Sequence, residues 1–384
     1  MRSTNWRLAV SLLAAFTMTA AACGSDAEES DTSSDDGATE EAACPSNLVI
    51  QTDWWPEIEH AGTYQLIGPG GNIDQETFRY SGPIQEQYAV GGIETVEIRA
   101  GGDAVSFTPV TTVMYEDSDV TLGYVNASDA MRDAASNAVV GVAKTLELNP
   151  QMVMWDPAQF EISDPSELAA TGARTLYFDG SSWVDFAVGE GILTEDQLDP
   201  SYGGAPDQFI EANGGIIQQG FATNEIYKYE NDIAWKDGAP ADVEFFLIHD
   251  LGFEDYPAMY SVRADRLDEL SPCLEVLVPM LSQAWVDFLG EPQPVADALI
   301  EITEGYDTFW RLSEGLNAEA LVLFADGIAV NGTDGTYCGF DEDRINNLIE
   351  VLKPGFDATG ILYPEDVSST DLVDNSFCAG APSL

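Results

Sequence analysis

The fold of this chain is decided by residues 53–60, Asp-Trp-Trp-Pro-Glu-Ile-Glu-His. The apolar run 48–50 before them is typical of a buried parallel strand, and Pro56 ends that strand because it has no N–H to donate and a fixed φ. A helix is predicted over 59–67, closed by the glycine-rich turn 68–71. Two indoles, carboxylates and an imidazole therefore meet at a strand-to-helix turn. In open α/β sheets, such turns at the carboxyl ends of strands form the ligand crevice.

The two tryptophans of this stretch allow two interpretations. Both could be core residues, with the carboxylates only stabilising the positive end of the helix dipole. Alternatively, one indole stacks on the ring of a ligand, and Glu57 and His60 form hydrogen bonds with the polar edge of that ligand ring. We expect Trp55 to be the stacking residue and Trp54 to be the better core candidate.

The pattern Trp-x-Pro-x-x-x-His, here Trp54, Pro56 and His60, resembles the opening of the thiamine-pyrimidine branch of the type II periplasmic binding proteins. That branch lies beside the nitrate, sulfonate and taurine binding proteins of ABC importers. The similarity runs with gaps over most of the chain after Asn47. It implies an α/β fold of two lobes, with a hinge and a ligand cleft between them. The branch also includes fungal pyrimidine synthases, whose matching histidine is consumed in the reaction.

Short apolar runs alternate with helical patterns along the chain, as in α/β folds. We predict a first lobe over 46–156, a second lobe over 157–243, and a return to the first lobe over 244–384 with the C-terminal helices. The run 152–155 is expected to belong to the first lobe, and the strand 243–248 to lead back to it. The other strand patterns are 94–99, 120–125, 139–143, 174–178, 215–220 and 258–262. Amphipathic patterns predict long helices over 274–289, 294–312, 318–326 and 341–352.

The charge of the chain is strongly negative, with 67 acidic and 14 basic residues and a net charge of −53. Nucleic-acid binding requires a basic face, so this balance argues against a nucleic-acid partner. Only eight of the acidic residues precede residue 43, and most of the charge therefore lies in the folded part. We interpret it as a solvated acidic surface suited to salty surroundings, where screening relieves self-repulsion.

The N-terminus has the pattern of a secretion signal over residues 1–22, with two arginines before an apolar stretch. Small residues precede Cys23, which resembles a bacterial lipoprotein site with Cys23 as the lipidated first residue. Ordinary cleavage near Ala22 is the alternative. The acidic segment 23–45 lacks large apolar residues, so it predicts a disordered tether between a membrane anchor and the domain.

The chain shows no pattern for a metal centre, a cofactor or a reaction. It has only two histidines, whereas a zinc site needs three or four ligands, and it has no His-Glu-x-x-His. A Gly-x-Ser-x-Gly elbow and a phosphate loop are also absent from the sequence. We therefore predict a protein that is not an enzyme and that binds no metal and no cofactor.

The candidate ligand-binding residues follow the predicted strands. In the first lobe they are Trp54, Trp55, Glu57, His60, Asn126, His249 and Asp250. In the second lobe they are Asp179, Ser181, Ser182, Trp183, Thr223, Asn224, Glu225 and Tyr227. Each has a structural alternative, because asparagine and aspartate suit turns and serine caps helices.

The chemistry of these residues indicates the class of ligand. Aromatic rings offer stacking faces, and carboxylates accept hydrogen bonds from amino groups. A sulfonate or nitrate site would favour arginine, and none of the candidate segments contains one. We therefore expect a flat, amino-bearing ligand. A helix N-terminus at Ser181 and Ser182 leaves a small anion as the alternative.

Four cysteines follow Cys23, and an even number in an exported protein predicts two disulfides. Four cysteines allow three pairings. We expect Cys273 to pair with Cys338, and Cys44 with Cys378. Free buried thiols are the alternative.

Together these patterns predict a monomeric, membrane-anchored solute-binding lipoprotein of an ABC importer. It would lie on the outer face of the cell membrane and deliver a pyrimidine-like molecule to the permease by closure of its lobes. One alternative is a single-turnover enzyme like the pyrimidine synthases, with His60 as the consumed residue, although their cysteine-rich iron-binding segment is missing here. Another is a sensor or adhesion lipoprotein on the same fold.

Overall fold

The computed structural model describes residues 43–384. The predicted signal peptide 1–22, the lipidated Cys23 and nearly all of the tether 23–45 lie outside this range. Within it, strands form two sheets and helices pack around them. The predicted α/β class with two lobes is therefore confirmed.

A seven-stranded sheet forms the first lobe. Its strands are β1 (Asn47–Gln51), β2 (Asn72–Asp74), β3 (Arg79–Pro83), β4 (Thr95–Arg99), β5 (Leu122–Val125), β6 (Val139–Ala143) and β12 (Met259–Arg263). The order in the sheet is β2-β3-β4-β1-β5-β12-β6. β1 pairs in parallel with both β4 and β5, so it is buried on both faces, as its apolar run predicts.

A five-stranded sheet forms the second lobe. Its strands are β7 (Gln151–Trp155), β8 (Thr175–Leu176), β9 (Leu198–Asp199), β10 (Ile217–Phe221) and β11 (Glu244–Leu247). Their order is β11-β7-β10-β8-β9, in which β10, β8 and β9 are parallel. The carboxyl ends of these three strands therefore lie along one edge.

Helices cover the sheets and connect the strands. They are α1 (Ala61–Tyr64), α2 (Val110–Glu116), α3 (Ala127–Arg132), α4 (Leu168–Thr171), α5 (Ser182–Gly189), α6 (Asp207–Glu211), α7 (Glu225–Tyr227), α8 (Leu267–Gly290), α9 (Gln293–Tyr306), α10 (Glu314–Leu323), α11 (Glu342–Thr359) and α12 (Ser369–Leu372). α11 packs against both α3 and α5, so it contacts both lobes.

Two strands lie in a different lobe from the one that the sequence predicted. β7, predicted at the end of the first lobe, pairs antiparallel with β10. β11, predicted as the return strand, pairs antiparallel with β7. Both therefore belong to the second sheet, and the chain crosses between the sheets after β6 and before β12. A buried apolar run fits either sheet, so its pattern does not reveal which strand it pairs with.

The four cysteines form two disulfides, but in different pairs from those predicted. Cys44 is bonded to Cys273 and Cys338 to Cys378, with Cα atoms 4.7 and 5.7 Å apart. The expected pairs, Cys273 with Cys338 and Cys44 with Cys378, are wrong. Three pairings were open from the sequence, and tertiary packing selects between them.

α8 is the main helix of the first-lobe core. Its apolar residues Leu274, Leu277, Leu281 and Trp285 are fully buried. The helical run Ala264–Gly290 is long and apolar enough to cross a membrane by length and composition alone. Its burial in the domain explains that apolar character without a membrane.

Candidate ligand-binding cleft

A cleft lies where strands of the two sheets end against each other, and it contains three adjoining cavities. The main cavity, about 670 Å³, lies between Phe107, Asp133 and Tyr202. The inner cavity, about 200 Å³, lies between Glu57, Gln219 and Pro257. The polar cavity, about 150 Å³, lies between Ser128, Asp179 and Asp255. Asn126 lines all three, so they adjoin one another around this residue.

Trp54 is the central aromatic residue of the cleft. It is half-buried and lines both the main and the inner cavity. Its ring lies 5.5 Å from the ring of Phe178 in the second lobe and 5.7 Å from that of Trp310, between centroids. A Cβ atom on Gly102 would lie 2.4 Å from the indole, so only glycine allows this approach. Trp54 thus presents an apolar face whose position both lobes fix.

Trp55 is a core residue, which reverses the predicted roles of the two tryptophans. Only 1% of its surface is exposed, and it lines none of the three cavities. Its ring meets that of Phe78 edge-on, with centroids 4.9 Å apart. The turn after β1 points the second indole inward and the first toward the cleft, which residue spacing alone did not reveal.

A buried group of ionisable residues lies at the first-lobe wall of the inner cavity. The Nε2 of His60 lies 3.0 Å from the Oδ1 of Asp53 and 3.4 Å from the Oε1 of Glu57. Burial, followed by the negative charges of Glu59 and Asp53, raises the pKa of Glu57 well above its usual range. The wall therefore brings several carboxyl groups close together, and N–H donors or a positive charge on a ligand would stabilise their ionised forms.

Glu59 joins the two lobes beneath this wall. Its carboxylate accepts a hydrogen bond from the Oγ1 of Thr223, which follows β10. Burial raises the pKa of Glu59, and the bond from Thr223 opposes that change. Thr223 lines none of the three cavities, so it acts here as an interlobe contact.

Asn126 and two aspartates form the wall between the main and polar cavities. Asn126 donates to the Oδ2 of Asp129 at 3.0 Å and accepts from the N–H of Ala258 at 2.9 Å. Burial raises the pKa of Asp129 to about 6 and that of Asp255 to about 7. Asp255 accepts from the N–H and the hydroxyl of Ser128, at 3.0 and 2.6 Å.

Arg132 lines the main cavity, although the sequence predicted a site without arginine. Its Nη2 donates to the Oγ of Ser182 at 2.6 Å, across the lobes. Ser182 is buried and also lines the polar cavity, so it makes an interlobe contact at the cavity where the sequence predicted a ligand residue. Arg132 was missed because it lies in α3, away from the strand ends that guided the prediction.

The second-lobe wall contains Asp179, Ser181 and Trp183. Asp179 is exposed and lines the main and polar cavities, while Ser181 lines the polar and inner ones. Trp183 is 1% exposed and donates from Nε1 to the Oε1 of Gln219 at 3.1 Å. Its indole thus supports Gln219, which lies in the inner-cavity wall.

Besides Trp55 and Thr223, five further predicted residues lie away from the three cavities. Asn224 and Glu225 line a separate cavity of about 310 Å³ beside Lys228 and Trp310. The carboxylate of Glu225 accepts from the hydroxyl of Tyr202 at 2.9 Å and from a backbone N–H. The other three, which line none of the cavities described here, are Tyr227, His249 and Asp250.

The cleft residues that the sequence missed include Asp129, Arg132, Phe178 and Gln219. Asp129 and Arg132 follow Asn126 at intervals of three, so they share one face of α3 with the strand-end turn, and that spacing could have indicated them. Phe178 directly precedes the predicted Asp179. Gln219 lies inside a strand, where no local pattern distinguishes it from a core residue.

Solved structures similar to this chain include ligand-binding proteins. One is the ligand-binding component of an ABC-type import system from Staphylococcus aureus with zinc bound, at a TM-score of 0.54 and 9% identity, covering 88% of this chain and 100% of that one. Another is the alkanesulfonate-binding protein of Xanthomonas axonopodis pv. citri bound to MOPS, at 0.53 and 12%, covering 86% and 99%. The periplasmic nitrate-binding protein of Synechocystis PCC 6803 matches at 0.52 and 10%, covering 87% of each.

At these identities the likeness concerns the fold. The chain has the fold of periplasmic binding proteins. No protein-family model matches the sequence. No curated protein matches it as a relative.

Proposed function

We propose that the protein is the extracytoplasmic solute-binding component of an ABC importer, and that it binds a small, amino-bearing heteroaromatic molecule, pyrimidine-like in shape. The fold supports the binding role, since the similar structures are described as import and binding components. The ligand class rests on the residues of the cleft itself.

The charge of the cleft is the observation that carries the ligand class. Of the described residues, seven carboxylates and one arginine line the three cavities. The carboxylates are those of Asp53, Glu57, Glu59, Asp129, Asp133, Asp179 and Asp255. Carboxylates accept hydrogen bonds from amino groups and are stabilised by positive charge. This set disfavours an anion and favours a neutral or cationic amine.

Binding proceeds by closure of the lobes over the ligand. Trp54 and Glu57 belong to the first lobe, whereas Phe178 and Gln219 belong to the second, and all four line the inner cavity. A ligand in that cavity contacts both lobes, so it binds the closed state more tightly and shifts the population toward it. The closed form then docks on the permease, and no reaction is involved.

The placement of the protein in the cell forms part of the same proposal. We place it outside the membrane as a monomer, held through lipidated Cys23 and the tether 23–45. The domain boundaries follow the sheets, with the first lobe before β7 and after β11. Such an anchor would let the cleft reach the permease while the domain stays free to open and close.

Arg132 is the specific observation in favour of a second candidate, a small anion such as a sulfonate. Its guanidinium lies at the start of α5, where backbone N–H groups also favour an anion. The carboxylates of Asp129 and Asp133 also line the main cavity close by. They compensate the arginine charge, so this candidate ranks second.

Analysis of the native ligand distinguishes the two candidates. Protein purified from its own cells would be unfolded, and the small molecules that it releases identified by mass spectrometry. We expect an amino-substituted nitrogen heterocycle in stoichiometric amount, and Asp53→Asn should weaken its binding in calorimetry, because Asp53 lines the inner cavity. Release of a sulfonate, with binding weakened by Arg132→Met and unaffected by Asp53→Asn, would overturn the proposed ligand class.

A further inference from the structure

Gln219 and Gln218 are neighbours in β10 with the same side chain and the same burial, 0% exposed for both. Successive strand residues face opposite sides of a sheet. Gln218 faces the core of the second lobe, where its Nε2 donates to the hydroxyl groups of Tyr229 and Tyr202 at 3.1 and 3.3 Å. Gln219 lies on the other side and lines the inner cavity.

The amide oxygen of Gln219 is fully engaged. Its Oε1 accepts from the Nε1 of Trp183 at 3.1 Å and from the backbone N–H of Phe178 at 3.2 Å. The hydroxyl of Ser181 is 3.4 Å away. An indole N–H and a backbone N–H can only donate, so the oxygen, and not the nitrogen, must face them. The orientation of the amide is thereby fixed.

The amide nitrogen of Gln219 has no hydrogen-bond partner among residues 43–384. Buried polar groups nearly always have a partner, and a buried donor without one is costly. The nitrogen points away from Trp183, and Gln219 lies in the wall of a cavity. A ligand acceptor in that cavity would satisfy it.

The first-lobe wall of the inner cavity, which faces Gln219, has hydrogen-bond acceptors where Gln219 offers a donor. Asp53 and Glu57 line the inner cavity and accept hydrogen bonds, and Trp54 and Phe221 contribute apolar surface. At about 200 Å³ the cavity is smaller than the roughly 300–1,000 Å³ of sites for drug-sized ligands, which suits a single ring. The ring would need an acceptor on the second-lobe side and a donor on the first-lobe side.

We propose that Gln219 is a specificity-determining residue that donates a hydrogen bond to a ring nitrogen or carbonyl of the ligand, while the first-lobe carboxylates accept from the ligand's amino group. This inference rests on the proposed function. It narrows the ligand to a planar heterocycle that carries an acceptor and an amino donor together. Trp183 is the positioning residue, because its N–H holds the amide in the donating orientation.

The test uses three ring probes in calorimetry: 4-aminopyrimidine, which has both groups, aniline, which has only the donor, and pyrimidine, which has only the acceptor. Wild-type protein should bind 4-aminopyrimidine at least tenfold more tightly than either of the others. Gln219→Glu, which keeps the acceptor for Trp183, and Gln219→Met should lose the preference over aniline. Gln218→Glu, the matched control one residue away, should keep it.

The outcomes separate the inference from the proposed function. If folded Gln219 variants retain the preference, the inference is overturned and the binding role stands. If the wild-type protein binds none of the three rings at millimolar concentration, the proposed ligand class and this inference both fail.

A second measurement needs no variant. In ¹⁵N-labelled wild-type protein, the side-chain amide protons of Gln219 should shift downfield with 4-aminopyrimidine and stay in place with aniline. Amide protons that do not move with either ring would also overturn the inference.

Discussion

Trp54 and Trp55 are adjacent in sequence and yet have different physical roles. Trp55 is 1% exposed and packs in the first-lobe core, so its indole contributes to folding. Trp54 is half-buried and bounds two cavities, so its indole contributes to the cleft. The pair therefore places one indole in the core and the other in the cleft within one turn of the chain.

Truncating each tryptophan should give opposite results. Trp55→Ala should lower the free energy of unfolding by about 3–5 kcal/mol, as deletion of a large buried aromatic does. Trp54→Ala should cost less stability and should weaken the binding of 4-aminopyrimidine, because stacking and contact area are both lost. Chemical denaturation and calorimetry on both variants measure the two quantities. Equal destabilisation, with binding retained in Trp54→Ala, would contradict these roles.

At the scale of residues, the sequence could predict which segments line the cleft, but not which of their side chains face the cleft and which face the core. The position of Trp54, Glu57 and Asn126 follows from strand ends, which local patterns mark well. The direction of Trp55 depends on its contact with Phe78, which is distant from it in the sequence, so residue spacing does not predict the contact. Gln219 could not be found, because its free N–H is defined only by the tertiary position of Trp183.

Among the elements, the loop that follows β9 closes the cleft against Trp54. Gly204 in this loop has φ +83°, and a Cβ atom there would lie 2.8 Å from the indole of Trp54. The indole is thus held between Gly204 of the second lobe and Gly102 of the first. Removing space on the second-lobe side should obstruct closure.

Alanine at Gly204 should therefore weaken binding. We expect Gly204→Ala to lower the affinity for 4-aminopyrimidine about tenfold, or about 1.4 kcal/mol, because the added methyl would meet Trp54 and hold the two lobes further apart than in this structure. Gly238→Ala is the matched control, since Gly238 has the same φ of +83° and no atom within 4 Å of its Cβ position. Both carry the same backbone strain, so their melting temperatures should fall alike.

The double variant shows whether the indole is responsible. In a Trp54→Ala background, Gly204→Ala should cause no further loss of affinity, because the ring that it meets is gone. An equal loss of affinity in Gly204→Ala and Gly238→Ala would refute the obstruction.

The order of the elements was more predictable than their pairing. β1, β4, β5 and β6 lie where alternating apolar runs predicted strands. β7 and β11 were predicted as strands but placed in the first lobe, because pairing depends on partners far away in the chain. The long C-terminal helices were predicted with different ends, and α8 begins at Leu267, before the predicted start.

For the whole molecule, the excess of acidic residues sets how stability responds to salt. A net charge of −53 repels itself in the compact state. Raising the ionic strength from about 0.1 to 1 M shortens the Debye length from about 10 to 3 Å. Screening should then remove much of this repulsion.

We expect the melting temperature to rise by at least about 2 °C over this range of sodium chloride, which corresponds to roughly 1 kcal/mol for a large domain. Differential scanning calorimetry measures the shift. Potassium chloride should act equally, because screening depends on ionic strength and not on the cation. A melting temperature that stays constant or falls would show that the carboxylates are already compensated within the fold.

The two-lobe class was predicted from the order of the strand and helix patterns and from the family resemblance of residues 54–60, and the acidic surface was predicted from the charge of the chain. The disulfide pairs were not predictable in the same way. Cys44 and Cys273 are 229 residues apart and meet only after the sheet and α8 have packed. Properties that depend on one contact between distant segments require the folded structure.

The Cys44–Cys273 bond also determines the path of mechanical load through the domain. A pull on the chain from before residue 43 reaches Cys44 before it reaches β1. The covalent bond passes it to Cys273 in α8, a helix of 24 residues anchored in the core. The tension therefore bypasses β1, the strand that leads directly to Trp54. If the domain is held by its N-terminus, a force on that end is transmitted to α8 and not to β1, so the position of Trp54 in the cleft is not changed by it.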